Sequence, residues 1–387
     1  MKYYLCITPF FPSESHFVGP YVLDQVKAIE RNSDFKVIVL KPTLPYHKEK
    51  DYEFNGIAVY RFSDYSLPTN AFPNRLCDKL TTASVIRKLK KIGIDMNQIA
   101  VCHAHVIRFG AVAVILKEKF PNITSIVQHH GFDVMSVTDG RFAQYEWHKK
   151  HCIRHGVKIC NSVNLNIGVS HKTLSYVMAQ PGIKVKNSYV LYNGVDTSKF
   201  FPIEGGSKDS DFTIGCVANF WELKDQMTLI KAVEILIHSG IKGIKTVFVG
   251  TGYTRKECEK YVQTHSLSNY FEFRTEMSHL ELANFYRSIN LFILPSYWEA
   301  FGCVYTEAYA CGTPFIAVKE QGISEIIPAS EQNHWLIDKG DFNTLAELIR
   351  NYKQNPSCKQ VLTMPIDINF IIKQYLEHLK NSNCALH

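Results

Sequence analysis

Short apolar runs alternate with segments of helical spacing along the chain; the rhythm breaks once near residue 200 and then starts again. Before the break come "YYLCIT", "FKVIVL", "VCHAH", "ITSIVQHH", "IGVS" and "YVLYN"; after it come "FTIGCVAN", "TVFVG", "YFEFR", "LFILPS" and "FIAV". Between the first two runs Val22, Val26 and Ile29 recur at helical spacing, and Pro20 suits the first turn of that helix. Strands alternating with helices argue for parallel sheets covered on both faces. At the break lies "DTSKFFPIEGGSKDSD", Asp196 to Asp211, rich in Gly, Ser and charge, as a linker is. The expectation is an α/β chain of two doubly wound, Rossmann-like domains facing each other across a cleft. The first spans residues 1–200, the linker 201–211 and the second domain 212–387. The closing helix "FIIKQYLEHLKN" has no domain assigned by its periodicity, and a return onto the first domain is one of its two options.

A length of 387 residues suits two domains and exceeds what one ordinary core supports. Apolar content of 46% against 20% charged residues describes a globular chain, neither disordered nor fibrous. The net charge of +7 is compatible with an anionic ligand or a lipid surface, but the basic residues are dispersed and lack interleaved aromatics, which disfavours nucleic acid. Eleven cysteines without a CxxC pair read as reduced thiols of a cytosolic protein. The start "MKYYLCITPFFP" mimics a signal peptide, yet Thr8 and Pro9 interrupt it, so a buried first strand is the better reading. No run approaches the length needed to span a bilayer. The expected location is the cytoplasm, with the inner membrane surface as an option.

The stretch "PSYWEAFGCVYTEAYACGTP", Pro295 to Pro314, sets Glu299 and Glu307 among small and aromatic residues with no cation inside it. "LFILPS" reads as a strand and "CVYTEAYAC" as a helix starting after Gly302; open parallel sheets bind ligands beyond the carboxyl ends of their strands. Cys303, Val304, Ala310 and Cys311 lie three or four positions from Glu307, so this carboxylate points along the packed face. A buried carboxylate is costly unless donors meet it, and sugar hydroxyls are donors. Amides at the helix start, in "FGC", suit phosphate. Hydroxyls at both ends with phosphates between describe a nucleotide sugar. The alternative is that Glu307 is exposed or satisfied by a distant arginine.

"E-A-F-G-C-V-Y-T-E" followed by "A-C-G-T-P" resembles the E-x(7)-E signature of family 4 retaining glycosyltransferases, which have the GT-B fold. The likeness extends over nearly the whole chain: "FVGPYVLDQVKAI" resembles the first glycine loop and helix, "HAH" and "HHGFD" the histidine positions, "VLYNGVDTSKF" the close of the first domain, and "QGISEII" the loop after the signature. The resemblance implies that Glu299 contacts hydroxyls of the transferred sugar and Glu307 accepts from the ribose. It implies that the backbone of Phe301, Gly302 and Cys303 seats the sugar and the distal phosphate. Lys224, in "NFWELKD", matches the lysine that neutralises the departing diphosphate; without that context it reads as a solvated lysine at a helix start. His130 falls over the donor sugar by resemblance, with a satisfied core histidine as the plain alternative. Gly19 stands where many members carry a pair of glycines, and Asn219 where the family usually has an arginine five positions before the lysine.

Three further patterns are weighed and set aside. "VFVGTGYTRK" begins like a dinucleotide loop, but Arg255 replaces the third glycine; in the family this loop borders the nucleotide and Arg274 to Met277 line the base. "DSD", Asp209 to Asp211, mimics a metal-holding triplet of another glycosyltransferase fold but sits in the linker. His103 and His105 lack a carboxylate or cysteine at metal-binding spacing. The implied activity is metal-independent, retaining transfer of a hexosyl group from a nucleotide sugar, a UDP-sugar before a GDP-sugar, which is a substrate and not a cofactor. The implied acceptor is a hydroxyl of a lipid-linked or surface polysaccharide intermediate. "RKLKK", Arg87 to Lys91, reads as a lipid contact or as a plain solvated helix face. Two alternatives stay open: a nucleotide-sugar epimerase of the same fold, which would convert donor without acceptor, and a catalytically silent sugar-nucleotide-binding partner, which would bind without turnover.

Overall fold

A computed structural model of the chain describes residues 2–14, 18–47, 49–65, 74–131, 145–203 and 211–382. It divides into two compact units, Met1–Gly194 with Ile368–His387, and Val195–Asp367.

The first unit is built from β1 (Lys2–Ile7), α1 (Pro20–Arg31), β2 (Phe35–Thr43), β3 (Tyr52–Phe54), β4 (Ile57–Ser63), α2 (Arg75–Lys91), β5 (Ile99–His105), α3 (Ile107–Lys119), β6 (Thr124–His129), α4 (Glu146–Ser162), β7 (Leu165–Gly168), α5 (His171–Met178) and β8 (Ser188–Val190). Its strand order is β3-β4-β2-β1-β5-β6-β7-β8, parallel except for the β3–β4 hairpin. Asn55 (φ 51°) and Gly56 (φ 80°) turn that hairpin, both in the left-handed region that an Asn-Gly turn supplies. Leu5, Ile7, Ile38 and Leu40 of the sheet pack against Val85 and Leu89 of α2 and Val112 and Leu116 of α3. Gly19 (φ 80°) precedes α1, whose first residue is Pro20; a Cβ on Gly19 would lie 2.6 Å from the Phe10 backbone, so only glycine fits.

In the first turn of α3 the side chain of Arg108 is 7% exposed and closed between Asp64, at 2.6 Å, and Asp78 of α2, at 2.9 Å. Thr81 Oγ1 donates to Asp64 at 3.0 Å, and His155 Nε2 lies 3.1 Å from Asp78. This guanidinium is balanced entirely by its own unit.

The second unit comprises β9 (Phe212–Val217), α6 (Gln226–His238), β10 (Ile244–Val249), α7 (Arg255–Thr264), β11 (Phe271–Arg274), α8 (His279–Ser288), β12 (Leu291–Ile293), α9 (Cys303–Ala310), β13 (Phe315–Val318), α10 (Gln332–Trp335), β14 (Leu336–Ile337) and α11 (Phe342–Gln354). Its order is β11-β10-β9-β12-β13-β14, with every pair parallel. β12 is buried at every position, as a strand covered on both faces must be.

The two α/β sheets are doubly wound and Rossmann-like, as the alternating rhythm implies. The first dividing point, Gly194/Val195, lies ahead of the 201–211 stretch, and the second is Asp367/Ile368. Phe201 and the preceding Lys199 are tied to the second unit because Arg287 of α8 donates to both carbonyls, at 2.8 and 3.1 Å. Residues 204–210 of the expected linker lie outside the described residues. The chain's two crossings run side by side, with Val195 N–H donating to the Ile366 carbonyl at 2.9 Å. The last helix, α12 (Ile368–Asn381), belongs to the first unit: Tyr375 and Leu379 are fully buried there, and Tyr375 shares a hydrogen bond with Tyr4 at 2.8 Å.

Candidate active site

In each sheet the winding reverses between two neighbouring strands, which opens a crevice at their carboxyl ends. In the second unit those strands are β9 and β12. The loop after β9 carries Asn219 and Lys224, and the loop after β12 carries Glu299, Phe301 and Gly302. Topology alone therefore makes neighbours of residues 75 positions apart: Lys224 Nζ donates to Glu299 Oε1 at 2.5 Å. Two hydrogen bonds weld the loops together, with Ser296 Oγ and the Tyr297 amide both donating to the Leu223 carbonyl, at 2.9 and 3.1 Å.

The sequence reading found no cation within 295–314 and looked to a ligand for the missing charge. The structure corrects this, because the cation comes from the neighbouring loop. Glu299 is 8% exposed, and its amide donates to Gln321 Oε1 at 2.7 Å. Gln321 opens the "QGISEII" loop after β13, where a Cβ on Gly322 would stand 1.9 Å from the Ala300 carbonyl oxygen. That glycine is required by close backbone approach. Gly302 (φ 92°) turns the chain into α9; a Cβ there would meet the Tyr305 ring at 2.6 Å. Phe301 is buried beneath this turn, while Cys303 opens the helix half-exposed. The positive end of the α9 dipole thus lies beside the Lys224–Glu299 pair and favours an anion.

Glu307, on the third residue pair of α9, is half-buried and accepts a hydrogen bond from Tyr286 at 3.1 Å. Burial first, then the Glu307 carboxylate, pushes the Tyr286 phenol well above its ordinary pKa, so it stays protonated and donates. Asn219 is exposed, and its carbonyl accepts from Gln226 at 3.0 Å, which fixes this loop to the start of α6.

The glycine loop after β10 has a local explanation. A Cβ on Gly250 would lie 2.1 Å from the Ala218 oxygen, and one on Gly252 would lie 2.3 Å from the Phe220 oxygen. These glycines let the loop pack backbone to backbone with the one that leads to Lys224. Arg255, at the third-glycine position, donates to the Gly250 and Arg274 carbonyls at 3.0 Å and to Phe273 at 3.2 Å, clamping the ends of β10 and β11. In the 274–277 segment, Arg274 pairs with Glu272 at 2.6 Å; Arg274 and Lys245 hold the Glu272 carboxyl down to about 2. Of the acidic triplet, Asp209 and Ser210 lie outside the described residues and Asp211 is exposed.

In the first unit, Gly19 and His130 meet at one carboxyl edge: α1, which Gly19 starts, brings the Tyr21 ring to 5.2 Å from that of His130. His105 Nδ1 lies 2.9 Å from His130 Nε2, and the His103 and His105 rings stack at 4.5 Å. Of the basic run on α2, Lys88 pairs with Asp51 at 3.0 Å and Leu89 is buried; Arg87, Lys90 and Lys91 are exposed. Among the described residues no helix is long and apolar enough to cross a membrane. Sequence reasoning missed Gln321, Tyr286 and Arg255 as supports. Only the motif "QGISEII", which opens with Gln321 and resembles the loop after the signature, offered a signal.

Known proteins share this architecture. Residues 18–199 match the family model described as Glycosyltransferase Family 4, and residues 198–363 match Glycosyl transferases group 1. An uncharacterised glycosyltransferase of Methanocaldococcus jannaschii is 26% identical over 356 residues, covering 89% of this chain and 88% of that protein. The capsular polysaccharide biosynthesis glycosyltransferase CapM of Staphylococcus aureus is 26% identical over 161 residues, 40% of each chain. HepE of Anabaena, solved in complex with UDP, superposes with a TM-score of 0.70 at 17% identity, covering 98% of this chain and all of that one. Sucrose-phosphate synthase of Thermosynechococcus elongatus gives the same TM-score at 17% identity over 98% of this chain and 95% of its own. The class is thus a glycosyltransferase of GT-B fold. The two matches adjoin and run from residue 18 to 363, and the chain belongs to the family 4, group 1 glycosyltransferases.

Proposed function

We propose that the protein transfers a hexosyl group from a UDP-sugar to a hydroxyl acceptor with retention of configuration and without a metal ion. The observation that carries this reading is the Lys224–Glu299 pair beside the glycine-turned start of α9. Before donor arrives, each side chain neutralises the other. When it binds, Lys224 exchanges its carboxylate for the diphosphate, and Glu299 is released to accept from hydroxyls of the transferred sugar. The phosphates sit at the amides of Phe301, Gly302 and Cys303, Asn219 adds an uncharged donor, and Glu307 accepts from the ribose.

A lysine charge that strengthens its grip as the pyrophosphate departs stabilises the transition state more than the ground state. With lysine and helix dipole covering the phosphate charge, a metal is not required for that purpose. Attack comes from the face the leaving group vacates, and the leaving phosphate oxygen takes the acceptor proton, so no side chain serves as nucleophile. His130, in the first unit, serves the transferred sugar. HepE, solved with UDP-glucose, supports uracil as the base, and the likeness to CapM, a capsular polysaccharide biosynthesis glycosyltransferase, supports a polysaccharide intermediate as acceptor. We place the reaction at the cytoplasmic membrane surface, with the exposed Arg87, Lys90 and Lys91 touching anionic lipid.

A thermal-shift panel of UDP-, GDP- and ADP-sugars tests the donor. A UDP-sugar at about 100 times its Kd is expected to add about 2.7 kcal/mol of stability. Stabilisation by a GDP-sugar alone overturns the base assignment, and none by any overturns the site. Proton NMR of the product formed on a lipid-linked acceptor tests the stereochemistry: the donor's anomeric configuration is expected, and its inverse contradicts retention.

A further inference from the structure

β5 ends in His103 and His105, two positions apart and therefore on one face of the sheet, with His130 following the adjacent strand β6. The planes of His105 and His130 differ by 10°, and their centroids are 5.1 Å apart. That spacing is what the 2.9 Å separation of Nδ1 and Nε2 plus two ring radii would give. The rings lie edge to edge in one plane, the geometry of an in-plane N–H···N hydrogen bond. Such a bond holds a single proton.

His105 is held from behind: the His103 ring stacks on it at 4.5 Å, His103 Nδ1 is 2.6 Å from the Tyr4 hydroxyl, and Tyr4 reaches Tyr375 of α12. Burial, then its histidine neighbours, keeps the His105 imidazole well below its ordinary pKa and therefore neutral. The next residue, Val106, takes φ 73°, a conformation a β-branched residue rarely adopts. Strain of this kind persists only where the surroundings enforce it.

We infer that His105 is a positioning residue: it sets the ring plane of His130 and decides which His130 nitrogen carries the proton. That bond takes up His130 Nε2, so the tautomer it sets fixes the buried Nδ1 as donor or acceptor instead of a mixture of the two. The tautomer assignment stands on the first unit alone; its catalytic meaning rests on the reading that His130 serves the transferred sugar.

The test is 15N NMR of the histidine-labelled full chain at pH 8 without ligand, with His130 assigned through His130→Gln. Wild-type protein is expected to show His130 as one neutral tautomer, with a scalar coupling across the bond to His105. In His105→Leu the His130 signals should average between tautomers. In His105→Asn, whose amide occupies the Nδ1 position, one tautomer should persist. Mixed tautomers in the wild type, or an unchanged single tautomer in His105→Leu, overturn the inference, and the wild-type spectrum decides even if the leucine variant does not fold.

UDP release from UDP-glucose then separates this inference from the reading beneath it. His105→Leu is expected to lose about tenfold in kcat at nearly constant KM, His105→Asn to recover most of that, and the His105→Leu change to add less than about twofold in a His130→Ala background. Unchanged UDP release in His130→Ala removes the sugar-handling role while leaving the tautomer result standing.

Discussion

Two buried ion pairs, one in each unit, lie near the carboxyl edges of similar sheets and have different fates. Arg108 is closed between Asp64 and Asp78 with 7% of its side chain exposed, and every charge there is spent internally. Among the described residues Lys224 meets Glu299 alone, with 20% of its side chain exposed, beside a helix start that favours anions. A charge satisfied by several partners inside one unit holds a fold together. A charge with one partner and an open side can change partners. The comparison separates a structural cation from a candidate catalytic one by environment, where residue type would not.

The largest effect should come from the closed network. Arg108→Met strands two carboxylates in the interior and should cost about 3–5 kcal/mol, read as a lowered urea midpoint. Neutralising Asp64 and Asp78 together with it should restore part of that loss. A midpoint that does not move would show that the network is not structural. Glu299→Gln should instead cut kcat by about 10²–10³ while the urea midpoint changes little. Equal losses of stability in both variants would erase the distinction between the two pairs.

Much of this was legible in the sequence, for physical reasons. Apolar runs such as "LFILPS" announce strands buried on both faces, and Pro20 and Gly302 mark their helix starts through restricted or permitted φ. The β3–β4 hairpin carries a strong turn signal in Asn55-Gly56, but β3 is three residues long and has no apolar run to announce it. The boundary at Gly194 was hidden because composition reports loop character and not which unit a loop adheres to; Arg287 settles that from 86 residues away. In the site, both carboxylates were legible but their partners were not. Lys224 reaches Glu299, and Tyr286 reaches Glu307, through sheet order, which periodicity does not encode.

Smaller effects sharpen the account of the two edges. Tyr286→Phe removes the hydroxyl that donates to Glu307 and should weaken donor binding by about 1 kcal/mol, roughly fivefold in Kd by titration calorimetry. No change would mean that Glu307 is oriented by other groups. The histidine edge should give a pH signature. His103, lowered by burial from 6.5 to about 3, stays neutral in the folded chain while the unfolded chain takes up a proton. Its contribution is therefore complete above about pH 6.5 and is lost progressively as pH falls toward 3. Thermal midpoints between pH 7 and 4 should fall less steeply in His103→Gln than in the wild type. Parallel slopes would remove His103 from the acid sensitivity.

The exchange of partners by Lys224 is tested most directly by calorimetric titration of UDP into the wild type and Lys224→Met, with GDP and ADP alongside. The account predicts that the tightest of the three loses about tenfold or more in affinity when the ammonium is removed, since a charge-assisted hydrogen bond to phosphate is worth about 1.5–3 kcal/mol. Equal affinity in the two proteins would contradict it, leaving Lys224 as a structural partner of Glu299.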